Sequence, residues 1–318
     1  MLTIWFHKWS IFTLISSRTE PLAIVAQATQ DRASLGIMMA LGAYVFFAMI
    51  DTSVKWLVLA GLPAFQLAFM RYLPHFIIST FLLLRKGDGW NSFQSAHIRL
   101  VLLRALLLVS ATLFNFITLN YLSLTVTASI MFSAPIIVCA LSWPLLGERV
   151  GPWRWFAIFL GFAGVLVVIR PFDTSFHWVA LLNVYNAFSF ALYSIITRKI
   201  SGVVAAETMQ FYIGASGAFI LFPFAWWVWI PPANALEWFL MVALGIWGWA
   251  GHEIFSRAHL FAPANTLMPY TYSFLLYLAV ASYFVFDEVP DQWTIFGASI
   301  IVASGLIIWR RTARKQFA

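Results

Sequence analysis

The sequence predicts an all-α integral membrane fold of ten transmembrane helices, arranged as two inverted five-helix repeats. Three observations carry that prediction. Of 318 residues, 62% are hydrophobic and only 10% charged, with a mean hydropathy of +0.86. A water-soluble chain of this length needs far more charge to cover its surface. The apolar residues fall in blocks of about 20, the length that crosses a bilayer at about 1.5 Å per residue. The basic residues gather in alternate connections between those blocks. Helices follow because each satisfies its own backbone hydrogen bonds in lipid.

The spans run at approximately 35–57, 63–84, 99–119, 125–146, 152–170, 178–197, 208–230, 235–255, 263–286 and 291–309. Their edges carry residues that stop helices: Gly61-Leu62-Pro63, Arg85-Lys86-Gly87-Asp88-Gly89, Gly147-Glu148, Arg170-Pro171 and Pro231-Pro232. Loop charge tests the map. With the N-terminus inside, the inside set is Lys8, Arg18, Arg32, Arg85, Lys86, Arg99, Arg149, Arg154, Arg198, Lys199, Arg257, Arg310, Arg311, Arg314 and Lys315. Only Arg170 falls outside, while Lys55, Arg71 and Arg104 lie within spans. Positive residues stay on the cytoplasmic side, so both termini are expected there. A wrong helix count would scramble the bias.

The chain also repeats. Glu148, Trp153 and Arg170 are echoed by Glu288, Trp293 and Arg310, each 140 positions later. Five spans is an odd number, so the second copy enters from the opposite side. Repeats related in this way suit alternating access, with solute bound near the midplane where the halves meet. The domains read as a cytoplasmic extension (1–34), a first repeat (35–170), a second repeat (178–310) and a basic cytoplasmic tail (311–318). The extension resembles a signal peptide only superficially, because Arg18 and Glu20 interrupt its short apolar stretch. An overlong start is the other reading, with Met38 and Met39 as internal starts.

Other classes fit poorly. The net charge of +7 sits in short loops rather than in a stripe, which marks orientation and not nucleic acid. The single cysteine, Cys139, excludes an intrachain disulfide or a cysteine metal cluster. There is no Gly-x-x-x-x-Gly-Lys phosphate loop and no His-Glu-x-x-His, since His252-Glu253 lacks the second histidine. No cofactor, metal or catalytic residue is expected.

The half-ends carry a resemblance. One holds Tyr121-Leu122-Ser123-Leu124-Thr125, Ala134-Pro135, Leu146-Gly147-Glu148-Arg149 and a helix with Gly161 and Gly164. The other holds Pro269, Phe286-Asp287-Glu288-Val289-Pro290 and a helix with Gly297 and Gly305. From about residue 35 to 310 the chain resembles the drug/metabolite transporter superfamily, in particular its EamA-type members. That resemblance implies ten helices, a central cavity and transport of small organic solutes across the bacterial inner membrane. The second copy has Asp287 where the first has Gly147, so its loop geometry is expected to differ. Met49-Ile50-Asp51-Thr52-Ser53-Val54-Lys55 and Phe69-Met70-Arg71-Tyr72 look like the riboflavin-transporting branch. Related S-adenosylmethionine and amino-acid transporters carry similar stretches, so riboflavin uptake comes first and transport of those metabolites, in either direction, second.

Several residues are candidates for handling solute. Tyr44, Ala48, Asp51 and Lys55 share one stripe of the first span. Asp51 and, on the second span, Arg71 lie about 9 and about 12 Å deep by helical rise. Ionisable groups at that depth are costly unless paired or wetted. Two expectations follow: an Asp51–Lys55 pair four residues apart with Arg71 locking the first span to the second, and a role for Asp51 in gating, proton acceptance or binding. His252 and Glu253 are candidates for proton coupling, against an interfacial Glu253–Arg257 pair. His75 reads as a packing residue. Glu148 and Glu288 read as anchors of the helices that follow them.

Most of the 16 tryptophans and 31 phenylalanines are expected in lipid or at its interface, as Trp226, Trp227 and Trp229 suggest. Asn186, Ser189, Tyr193 and Thr197 share a face of the sixth span, and Tyr270, Ser273 and Tyr277 a face of the ninth. With Asn115 of the third span they form an expected cavity lining of flat apolar walls with a few hydrogen bonds. Ala157, Gly161, Gly164, Gly297 and Gly305 permit close backbone approach, holding together the two halves or a homodimer.

Overall fold

The computed structural model describes residues 33–85, 93–146, 151–170, 176–262 and 267–316. The N-terminal extension and Glu148, both discussed above, lie outside the described residues. The first repeat contributes α1 (Ala33–Leu59), α2 (Ala64–Arg85), α3 (Ile98–Leu119), α4 (Leu124–Met131), α5 (Ala134–Leu146) and α6 (Pro152–Ile169). The second contributes α7 (Ala180–Ile200), α8 (Ala206–Trp227), α9 (Ala235–Phe261), a 3₁₀ turn (Met268–Thr271), α10 (Tyr272–Phe286) and α11 (Gln292–Gln316). Among the described residues six segments are long and apolar enough to cross a membrane, one of them spanning the break between α4 and α5. Trp155–Ile169, Ser273–Phe286 and Gln292–Ile307 are shorter apolar helices.

Local chemistry sets the ends. Ser123 caps α4 by accepting from the Val126 amide, and Gly151-Pro152 opens α6 with proline where no amide is needed. Asn234 and Glu237 cap α9 reciprocally: Asn234 Oδ1 accepts from the Glu237 amide, and Glu237 Oε2 from the Ala233 amide. Asp287 ends α10 at φ 53°, the left-handed conformation that normally favours glycine. Aspartate is among the few side chains that tolerate it, so position 287 closes its helix without a glycine.

Two spans differ from the expected continuous helices. The fourth breaks at Phe132-Ser133, because Pro135 has no amide to donate to the Met131 carbonyl. The ninth begins as a 3₁₀ turn around Pro269 before continuing as α10. In the opposite sense, α9 runs on to Phe261, six residues past the expected end.

The halves interleave rather than sit side by side. The most extensive packing runs between repeats: α2 on α8 and α9, α1 on α9, α3 on α7, and α6 on α11. Glycines permit it. A Cβ on Gly217 would strike the Tyr72 ring, one on Gly245 the Pro74 ring at 2.6 Å, and one on Gly164 the Gly297 carbonyl at 2.9 Å. The glycine-bearing α6 and α11 therefore join the two repeats within one chain.

The polarity of the bundle is inverted relative to a water-soluble protein. Trp227 is 88% exposed and Phe284 76%, whereas Arg104, Gln66, His75 and Asn183 are fully buried. An apolar exterior around a polar interior is what lipid selects.

Candidate functional site

A cavity of about 90 Å³ lies where the repeats interleave. Tyr44, Phe47, Ile50 and Asp51 of α1, Arg71 of α2, and Thr112, Asn115 and Phe116 of α3 line it from the first repeat. Asn186 and Phe190 of α7, His252 of α9, Thr271 of the 3₁₀ turn and Phe274 of α10 line it from the second. Met131 reaches it from the break between α4 and α5, so both interrupted spans border the same space. The volume is below the roughly 300–1,000 Å³ of pockets that enclose a drug-sized solute, so a nucleoside-sized ligand requires a wider state.

The polar groups on the wall are positioned by partners. Asn115 Nδ2 donates to Asp51 Oδ1 at 2.9 Å, fixing the carboxylate from α3. Arg71 Nη2 donates to His252 Nε2 at 2.9 Å. The guanidinium can only donate, so Nε2 is the bare nitrogen and the imidazole proton sits on Nδ1, 3.0 Å from Tyr193 Oη. Tyr193 Oη in turn accepts from Arg104 Nη2 at 2.8 Å. Arg104 also donates to Thr197 Oγ1 and Ser256 Oγ at 2.7 and 2.9 Å, and its guanidinium stacks on the Tyr193 ring at 4.4 Å. This buried chain ties α2, α9, α7 and α3 together beneath the cavity. Tyr44 Oη and Thr271 Oγ1 share a 2.8 Å hydrogen bond that joins α1 to the second repeat.

The structure thus brings Tyr44, Asp51, Arg71, Asn115, Asn186 and His252 to one cavity, with Tyr193 immediately behind His252. The remaining candidates lie elsewhere. Lys55 does not pair with Asp51; its Nζ lies 2.7 Å from Glu288 Oε1 in the second repeat. Glu288 accordingly holds α1, and through Oε2 it accepts from Ser282 of the preceding helix, while Asp291 caps α11. Arg71 forms no ion pair with Asp51, although both face the same space. Glu253 pairs with Arg257 at 2.6 Å and is off the cavity wall, leaving Asp51 as the one carboxylate among the described lining residues. Tyr270 and Tyr277 are half-buried and do not line the cavity. Thr271 of the 3₁₀ turn and Phe274 of α10 line it instead.

Sequence reasoning passed over Arg104 as a basic residue inside a span. The signal was present, since an arginine six residues into an apolar helix is a functional candidate by default. Phe47, Phe190 and Phe274 carried no signal, because nothing separates them from lipid-facing phenylalanines until the packing is known.

An inverted-polarity helical bundle with a charge-bearing cavity between interleaved repeats defines a multi-pass membrane transporter. Comparison with known families then places it: the EamA-like transporter family matches residues 34–170 and 177–310, so the chain belongs to that family. An S-adenosylmethionine uptake transporter of Rickettsia felis is 30% identical over 78% of this chain and 83% of its own length. A riboflavin transporter of Rhizobium johnstonii is 25% identical, covering 90% and 94%. The pseudopaline exporter CntI of Pseudomonas aeruginosa is 26% identical, covering 88% and 98%. The protein is a transporter of the bacterial inner membrane, not an enzyme, and its solute is a small molecule.

Proposed function

We propose that this chain carries S-adenosylmethionine, whose amino-acid zwitterion bears a further sulfonium cation, or a closely similar solute with a flat ring, inward across the membrane by alternating access. The observation that carries the reading is the presence of one acidic and one basic side chain on the cavity wall. Asp51 and Arg71 both face the space without forming an ion pair with each other. A solute with no charged groups leaves these two buried side chains without a direct ion-pair partner, which is costly in a low-dielectric interior. A zwitterion meets both. Asp51 takes the ammonium or sulfonium, Phe47, Phe190 and Phe274 give flat walls for the ring, and Asn115, Asn186 and Thr112 give hydrogen bonds to its edge. The relative from Rickettsia agrees with this reading in both substrate and direction.

The mechanism rests on ten crossings, with α4 and α5 counted as one and the 3₁₀ turn and α10 as one. Both termini are cytoplasmic in this scheme, as the loop charges require. Asp51 and Arg71 then lie about 12 and about 10 Å from the outer ends of α1 and α2, while Arg104 lies about 9 Å from the inner end of α3. The cavity occupies the outer half and the Arg104 chain seals its floor. Inward release requires that chain to part.

Riboflavin is the second reading, favoured by the aromatic walls alone. Uptake of radiolabelled S-adenosylmethionine and of riboflavin into proteoliposomes containing the purified protein separates the two. Saturable S-adenosylmethionine uptake with no flavin uptake is the expected result. Flavin uptake alone overturns the reading in favour of the vitamin.

A further inference from the structure

We infer that Arg71 is the docking point for the solute's carboxylate, held ready for it by the buried His252–Tyr193–Arg104 chain. The inference rests on the zwitterion reading above and assigns one end of that solute to one side chain.

Arg71 is 4% exposed and lines the cavity. Its Nε and Nη1 are buried and meet no hydrogen-bond acceptor. Its Nη2 donates one hydrogen to His252. That leaves one edge of the guanidinium whole, because the second Nη2 hydrogen runs parallel to either Nε–H or Nη1–H. Two parallel N–H donors on a planar edge are the geometry that grips a carboxylate bidentately.

No neighbour fills that edge. Asp51 accepts from Asn115 through Oδ1, and Arg71 has no ion-pair partner among the described residues. His252 is locked as an acceptor toward Arg71 and a donor toward Tyr193. Tyr193 Oη already receives Arg104 as well. The chain therefore braces Arg71 without neutralising it. Arg104 adds a second buried cation with no ion pair among the described residues and with a free Nη1. A buried cluster with two guanidiniums and no carboxylate in contact is costly to keep unfilled, and an anionic group delivered by the solute relieves that cost. The Tyr72 ring, 4.9 Å from the guanidinium carbon, supports its other face.

The test uses the full chain in detergent and reads ligand-induced thermal stabilisation, so it does not depend on transport. The probes are S-adenosylmethionine and its decarboxylated analogue, which keeps the sulfonium and adenosyl groups, together with a panel of amino acids and their amides. The wild type is expected to bind S-adenosylmethionine at least about tenfold more tightly than the decarboxylated analogue. Arg71→Gln is expected to abolish that preference, and Arg71→Lys to keep part of it. Equal binding of both compounds by the wild type, which needs no variant to fold, overturns the inference while leaving the transport reading intact. An undiminished preference in Arg71→Gln does the same. If neither adenosyl compound binds, the substrate reading fails and the amino acids decide the anchor. Preference for acids over amides that is lost in Arg71→Gln supports it; indifference, or no stabilisation by any acid, overturns it.

Discussion

Lys55 on α1 and Glu288 after α10 stand 2.7 Å apart, 233 residues distant in sequence, and their ion pair clamps one repeat to the other. Lys55 also donates to the Leu122 carbonyl at 3.3 Å and lies 5.4 Å over the Phe286 ring. It sits one turn beyond Asp51 on the same helix, on the outer side of the cavity in the proposed orientation. In the proposed alternating-access scheme, that contact breaks and re-forms as the outer side opens and closes.

That placement predicts charge-swap rescue. Lys55→Glu and Glu288→Lys, made singly, are expected to lower uptake at least about tenfold, and the double variant to recover most of it. The coupling energy is expected near 1–2 kcal/mol, modest because the Glu288 side chain is 34% exposed. Uptake in proteoliposomes decides the matter. A double variant as poor as the worse single would show that the pair has no role as a latch.

Asp51→Asn tests the cation end of the site. Asparagine has the same shape and still accepts the Asn115 hydrogen bond, so folded yield should not change. Losing the charge removes a charge-assisted contact of roughly 1.5–3 kcal/mol, or about ten- to a hundredfold in uptake. Asn115→Ala, which only frees the carboxylate to rotate, is expected to have a smaller effect. Unaltered uptake kinetics in Asp51→Asn would remove this carboxylate from the mechanism.

Legibility in the sequence followed the range of each signal. Helix positions were readable because proline and glycine act locally on backbone geometry: Gly61, Gly151-Pro152 and Pro231-Pro232 mark ends that no tertiary contact overrides. Asp51, Arg71, Asn115 and Asn186 stood out because each is polar in an apolar helix, and all four line the cavity. The partner of Lys55 was not readable. Four-residue spacing favoured Asp51, but the interleaving of the repeats brings Glu288 closer. Tyr270 and Tyr277 were picked as a polar face of an apolar helix, but which face meets the cavity is set by packing, and Thr271 and Phe274 line it instead.

Tyr193→Phe isolates the brace beneath the cavity. The phenol oxygen takes hydrogen bonds from Arg104 and from His252, so its loss strands two buried donors at once. The expected cost is about 2–3 kcal/mol of stability, read as a lowered unfolding temperature in detergent. Tyr185→Phe is the control, since its hydroxyl meets Ser110 in an exposed contact and should shift stability by less than about 0.5 kcal/mol. Equal shifts in the two variants would mean that the Arg104 chain is no more critical than a surface contact.

The α6–α11 seam gives the last prediction. Cβ atoms built on Gly164 and Gly297 would lie 2.9 and 2.8 Å from each other's carbonyl oxygen, and Gly164 would also meet Ile301 at 2.8 Å. Backbone cannot move aside as a flexible side chain can, so alanine at either position must push the helices apart. The expected destabilisation is about 1–3 kcal/mol, with leucine worse than alanine. Gly42 lies on α1 with nothing within 4 Å of its built Cβ, so Gly42→Ala should be neutral or gain about 0.5–1 kcal/mol from helix propensity. Unfolding temperature and oligomeric state, measured together, separate the uses of this seam. A lowered unfolding temperature at constant oligomeric state is expected of a contact that joins the repeats. A change of oligomeric state without loss of stability would instead place these glycines at an interface between two copies.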